Sequence, residues 1–148
     1  MKLPVSSSAA GTVAGPSTAS LAKRLRAAGL RPTRQRLALA ALLFNGGDRH
    51  VTAESLYAEA RAKRIPVVLA TVYNALHQFC AAGLLRQVQV TPERAYFDTN
   101  VGDHHHFYIE PDGMLIDIPA SGISVTGLPR APVGTTVRSV DVVVRVQR

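Results

Sequence analysis

The sequence predicts an α+β fold, an N-terminal winged helix-turn-helix followed by a small antiparallel β domain. Three observations carry this. Four stretches with helical apolar spacing lie between residues 21 and 82, each closed by a breaker. Two short segments rich in Val, Leu, Tyr and Phe then flank Thr91-Pro92-Glu93, as in a hairpin. From residue 104 onward the chain has β-branched runs, Gly/Pro turns and no helical period. Helices followed by a two-stranded wing is the order of a winged helix.

Each element has a local reason. Ser20 is the expected N-cap of a short amphipathic helix over 21–28, ended by Gly29. Pro32 and Thr33 open a second helix over 34–44, with Leu37, Ala41 and Leu42 at helical spacing, and Asn45-Gly46-Gly47-Asp48 stops it. Thr52 is the expected N-cap of the third helix, which runs to about residue 64. Ser55 stands at its N3 position, where a capping box wants Glu or Gln. Ile65-Pro66 breaks that helix. Leu69-Ala70-Thr71 opens the fourth, with Val72, Leu76 and Phe79 on one face and Gly83 after it. Residues 84–90 and 94–98 are the hairpin. Residues 104–110 and 114–119 flank Pro111-Asp112-Gly113, which suits a type I turn with a glycine bulge. Residues 137–146 form a β-branched run and read as a final strand. Residues 1–20, rich in Ser, Ala, Gly and Thr, read as a disordered tail.

Composition narrows the function classes. The single cysteine, Cys80, excludes an internal disulfide and a structural zinc site built from four cysteines. No run approaches the roughly 20 apolar residues of a membrane span. The first twenty residues have no apolar core of a signal peptide, so a cytoplasmic setting and no membrane partner are expected. The net charge is +7, and ten of the 17 Lys/Arg but only three of the ten Asp/Glu lie between residues 21 and 64. A basic block so concentrated suggests a polyanion partner, most often nucleic acid; the bland reading is a solvated helix face.

The run His104-His105-His106 holds three of the five histidines. Strand alternation puts His104 and His106 on one face and His105 on the other. If the 111–113 turn sets the register, His106 faces Asp117 on the neighbouring strand, within about one residue. Asp98 lies six residues before His104, and His50 stands in a loop just before the third helix. A His/carboxylate set of this kind suits one Fe(II), Mn(II) or Zn(II) ion per subunit, and it needs deprotonated imidazoles. A haem is the second candidate, with His104, His105 or His106 as axial ligand and Phe107 and Tyr108 beside the porphyrin. A histidine cluster that binds nothing is the bland alternative.

In a winged helix the second helix of the motif enters the major groove. Thr71 at its N-terminus can reach a phosphate, Tyr73 a thymine methyl or phosphate, and Asn74 an adenine, with His77 one turn on. Arg31, Arg34 and Arg36 are placed for the DNA backbone or minor groove, and Arg86 and Arg94 lie on the wing.

Four motifs, Gly29-Leu-Arg-Pro-Thr-Arg-Gln-Arg, His50-Val-Thr-Ala-Glu-Ser-Leu-Tyr, Leu69-Ala-Thr-Val-Tyr-Asn-Ala-Leu and Gly102-Asp-His-His-His-Phe-Tyr, resemble the ferric uptake regulator superfamily. The triple histidine, the missing Cys-x-x-Cys and the ending Val140-Asp-Val-Val-Val-Arg look most like its iron response regulator branch. The resemblance implies a homodimeric transcription regulator on a double-stranded DNA operator. It would have a winged-helix domain over 21–99 and a dimerisation and sensing domain over 100–148. The implied inter-domain metal site matches His50, Asp98, His104, His106 and Asp117, with Asp where much of the family has Glu. Asp103 and His105 match only part of a second family site. Ile109 and Asp112 stand at the positions of the family's structural cysteines, and the usual C-terminal helix is expected to be lost. The iron response branch implies haem sensing through His104, His105 and His106. The alternatives are a classical Fe(II)-corepressed, other-metal or peroxide-sensing regulator of the same superfamily and, from another class, a small metallohydrolase. Against the last stands the basic helical block, and no Ser/His/Asp order, phosphate loop or His-Glu-x-x-His helix is present.

Overall fold

The computed structural model describes residues 15–148, so most of the expected tail lies outside the described residues. Four helices come first: α1 (Thr18–Ala27), α2 (Arg34–Leu43), α3 (Ala53–Ala62) and α4 (Leu69–Ala81). They enclose Leu25, Leu39, Leu43, Leu56, Val72, Leu76 and Phe79, all buried. Helix α1 starts earlier than expected. Ser17, not Ser20, is its cap, and Ser17 Oγ accepts the Ser20 N–H at 3.1 Å. Both serines suit the position, but capping from Ser17 adds Thr18 to Ser20 as a first helical turn.

Helix α3 carries a complete reciprocal cap, although Ser55 is neither Glu nor Gln. Thr52 Oγ1 accepts the Ser55 N–H, and Ser55 Oγ accepts the Thr52 N–H, each at 3.0 Å. The serine hydroxyl thus takes the part usually given to a Glu carboxylate. The helix ends at a left-handed Arg64 (φ 56°), from which the Ile65 N–H turns back to the Ala60 carbonyl at 2.9 Å. Helix α4 ends at Gly83, whose φ of 79° a side chain would strain.

The expected wing is a three-stranded sheet rather than a hairpin. Strands β2 (Arg86–Thr91) and β3 (Arg94–Asp98) pair as expected, with an irregularity between Gln89 and Thr91. Strand β1 (His50–Val51) adds to the other edge of β3, setting His50 opposite Asp98. Two residues show no periodicity, so β1 leaves no signal in the sequence.

The second sheet has the order β5-β4-β6. Strands β4 (His104–Ile109) and β5 (Met114–Pro119) are antiparallel with His106 opposite Asp117, the expected register. Gly113 (φ 61°) gives the turn its bulge conformation. Strand β6 (Val143–Val146) corrects two expectations: it runs parallel to β4, and it is shorter than 137–146. The connection over 123–142 brings the chain back beside the start of β4, and only its last residues reach pairing distance. The sheet is therefore mixed.

The two sheets pack through a second core of Val88, Val90, Tyr96, Tyr108 and Leu115, with Val143 against it. Tyr96 also donates to the Gly113 carbonyl, and Arg145 reaches the Val90 carbonyl across the junction. No described helix is long and apolar enough to cross a membrane.

Candidate metal centre

Where the two sheets meet, five side chains converge. Asp98 closes β3, and β1 pairing places His50 beside it. The loop over 99–103 turns the chain so that β4 presents His104 and His106 toward Asp98, and β5 pairing adds Asp117. Asp98 Oδ2 lies 2.7 Å from His104 Nε2, 3.0 Å from His106 Nε2 and 3.1 Å from His50 Nε2. Asp117 Oδ1 lies 2.7, 3.3 and 3.5 Å from the same atoms of His50, His106 and His104. All five donor atoms fall within 4.8 Å of one another. Asp98, His104 and His106 are buried, His50 is mostly covered and Asp117 is on the rim.

Contacts behind the donors orient them. Asp98 Oδ1 accepts the Asn100 N–H at 2.8 Å, leaving Oδ2 for the site. His104 Nδ1 is 2.6 Å from the Gly102 carbonyl, which only accepts, so Nδ1 carries a proton. With Nδ1 so engaged, Nε2 is the nitrogen turned to the site, a common way of orienting metal-ligating histidines. Arg86 holds the same carbonyl at 3.2 Å. Asn100, Gly102 and Arg86 take this role without having been expected to; the Asn-x-Gly loop before the histidines was the available signal.

Electrostatics favour a cation. Burial pushes the Asp98 carboxyl up, but hydrogen bonds from His106, His50, the Asn100 N–H and His104 outweigh it and hold the group well below the usual carboxylate range. The site therefore holds a carboxylate charge at Asp98 at neutral pH. For His50, burial opposes the charged ring, yet hydrogen bonding and attraction to Asp98 and Asp117 raise its value on balance. A raised imidazole stabilises the metal-free fold fully below its unfolded value, and that contribution is lost as pH rises through the raised value. The proton must also leave before an ion enters. Mn(II) affinity is therefore expected to climb through the neutral range and beyond the ordinary imidazole titration. Calorimetric titration at several pH values checks this, and a flat affinity between about pH 6 and 8 would count against it.

The three haem candidates do not share a face. His104 and His106 belong to the cluster, while His105 points the other way and its Nδ1 accepts the Val142 N–H at 3.1 Å. It lines a groove with Ile123, Val125, Leu128 and Arg138. Cys80 is half-buried on α4, and burial pushes its thiol up to about 11, an inert group at neutral pH.

The DNA candidates also divide. Thr71 and Asn74 line a shallow groove between α2 and α4 together with Arg36 and Gln78. Arg36 is fixed there by Gln78 Oε1 at 2.9 and 3.3 Å and by the Arg31 carbonyl at 2.8 Å. Gln78 is the member of this groove that helical spacing alone did not single out. Arg31 and Arg34 are exposed beside it. Tyr73 and His77 lie on the opposite flank, toward the wing. Tyr73 donates to Glu54 at 2.6 Å, and His77 stands edge-on to Phe97.

A model of the Ferric uptake regulator family matches residues 27–141. The Ferric uptake regulation protein of Bordetella parapertussis is 38% identical over 85 residues, 57% of this chain and 61% of that protein. Transcriptional regulator FurA of Mycobacterium tuberculosis is 35% identical over 98 residues, 66% of this chain and 65% of that protein. The matched segment thus spans less than two thirds of either relative. A solved structure of the ferric uptake regulator from Pseudomonas aeruginosa with manganese superposes with a TM-score of 0.66 at 26% identity, covering 86% of this chain and 97% of that one.

Proposed function

Because the chain belongs to the Ferric uptake regulator family, we propose that it is a homodimeric, sequence-specific DNA-binding transcription regulator whose affinity for its operator is set by one divalent metal ion held by His50, Asp98, His104, His106 and Asp117. Residues 21–99 form its winged-helix domain and 100–148 its sensing and dimerisation domain. The observation that carries the reading is the origin of the donors. His50 and Asp98 come from the sheet beside the helices, and His104, His106 and Asp117 from the second sheet.

The donor chemistry fits Fe(II), Mn(II) or Zn(II). Three imidazoles and two carboxylates are a borderline N/O set, and His104 and Asp98 have their outer atoms already engaged. A bound ion would supply positive charge to offset the Asp98 and Asp117 carboxylates. The chain does the rest. Convergence of the five donors on one point fixes the angle between the two sheets, and so the position of α4 relative to a partner's α4. That spacing decides whether both recognition helices meet half-sites about one helical turn apart. On DNA, Thr71 and Asn74 read from the α2–α4 groove, Tyr73 and His77 contact from the wing side, and Arg31 and Arg34 meet phosphates. Within the family the reading is an iron-responsive regulator; no step calls for turnover of a substrate.

Haem is a second input that the likeness to the iron response branch suggests. His105 is the observation that favours it, because its groove combines apolar side chains with Arg86 and Arg138. His104 and His106 cannot serve a haem without dismantling the Asp98 cluster. The test is DNA binding by the purified protein to the duplex upstream of its own coding sequence, at fixed salt, titrated with Mn(II) and separately with haem. A DNA affinity that shifts with Mn(II) supports metal control. Release by haem, lost in His105→Ala, supports the haem input. Affinity indifferent to metal, chelator and haem sinks the regulatory reading.

A further inference from the structure

The residue before the first ligand has no place in the metal site, yet it ties that site to the helices. The Arg49 backbone makes two hydrogen bonds with Thr99, the residue after Asp98, one to its side chain and one to its N–H. The Arg49 N–H donates to Thr99 Oγ1 at 2.9 Å, and the Arg49 carbonyl accepts the Thr99 N–H at 3.1 Å. These bonds lock together the chain positions that carry His50 and Asp98. Its guanidinium points the other way, into the helices. Nη1 and Nη2 meet Glu59 of α3 in a two-pronged pair at 3.0 and 2.7 Å. Nη1 also caps the Leu42 carbonyl near the end of α2 at 3.0 Å, one of the carbonyls a helix end leaves without a partner.

One side chain therefore joins the His50/Asp98 platform to α2 and α3. Helix α3 packs on α4, the helix proposed to enter DNA. The pair is about a third exposed, so its contribution to stability is small. Its planar fork, however, defines an orientation, which a point charge would not. We propose that Arg49, through Glu59, is the positioning residue that transmits the state of the metal centre to the helix-turn-helix. The inference rests on the functional reading above and adds the route by which the site acts. It predicts that Arg49 governs coupling between metal and DNA while leaving each binding event intact.

The experiment compares the full chain with Arg49→Ala, Arg49→Lys and Glu59→Gln. For each, Mn(II) affinity is measured by calorimetry, and DNA affinity with and without Mn(II) on the duplex upstream of the coding sequence. The quantity read is the ratio of the two DNA affinities. Arg49→Ala is expected to bind Mn(II) like the wild type but to bring the ratio at least about fivefold closer to one. Arg49→Lys, which keeps the charge and loses the fork, restores only part of it. Glu59→Gln leaves Arg49 in place, shows the same loss, and keeps the test open should Arg49→Ala fail to fold. Equal loss of DNA affinity in both metal states, with the ratio intact, overturns the role and leaves a merely structural pair. A wild-type ratio of one overturns the functional reading and this role together. A wild-type ratio far from one that persists in the variants overturns the role alone.

Discussion

Asp98→Ala is expected to lower Mn(II) affinity by at least about a hundredfold and to remove metal control of DNA binding. Loss of a partner behind a metal ligand typically costs about 10- to 100-fold, and Asp98 stands among the donors themselves. It is fully buried, and its Oδ2 is the atom on which all three imidazoles converge. It also carries the buried negative charge of the site. Asp98→Asn keeps the shape and removes the charge, so it should lose nearly as much. Asp117→Ala should lose less, because Asp117 lies on the rim and its two longer approaches, 3.3 and 3.5 Å, are to His106 and His104. The metal-free Asp98→Ala protein should still fold, destabilised by about 1–3 kcal/mol for imidazoles left without their acceptor. Calorimetric Mn(II) titration with a thermal melt of each metal-free variant checks both statements. Near-normal Mn(II) affinity in Asp98→Ala would move the metal site elsewhere in the chain.

The ordering of those variants is partly legible in the sequence. Alternation along a strand is enough to put His104 with His106 and to separate His105. The glycine bulge at Gly113 sets the hairpin register, and with it His106 opposite Asp117. Both are local properties, decided within a dozen residues. The contact of His50 with Asp98 is not local. It depends on β1, two residues long, which exists because β3 offers it an edge. The parallel direction of β6 likewise depends on where the 123–142 connection travels, which no periodicity encodes. The same limit applies to Ser55 and Ser17. Their side chains can cap, and the surrounding chain decides that they do. The joint between the sheets is hidden for a related reason. The alternation of Val88, Val90 and Tyr96 announces an apolar face, but the partner of that face is more than ten residues away, in Tyr108 and Leu115.

Phe107→Asp is expected to convert the proposed dimer to a monomer and to lower operator affinity by about a hundredfold or more, as two linked half-site contacts become one. Strand parity separates the two faces of the second sheet. His104, His106 and Tyr108 face the winged helix, so His105, Phe107 and Ile109 face outward. The pairing adds Ile118, Ile116 and Met114 from β5 and Val144 and Val146 from β6 to the same side. Apart from His105 the strand residues of this outer face are apolar and uncharged, and Arg86 and Arg138 stand only at its His105 end. Phe107 (40%), Met114 (50%) and Ile116 (44%) remain well exposed on it. A contiguous apolar sheet face is what a soluble chain covers with a partner, and a flat uncharged sheet is complementary to its own two-fold copy. The Gly/Pro-rich chain over 121–134 places no α-helix there. An aspartate at 107 would lie across from Ile116, with a like charge brought close by the two-fold, buried and without a partner. The same substitution points away from Asp98, so Mn(II) affinity per chain should be unchanged. Light scattering during gel filtration, run beside Ile116→Asp as an independent probe of the same seam, measures the mass directly. Both variants eluting as dimers would place the subunit contact on a free strand edge instead, and the outer face would then need another occupant.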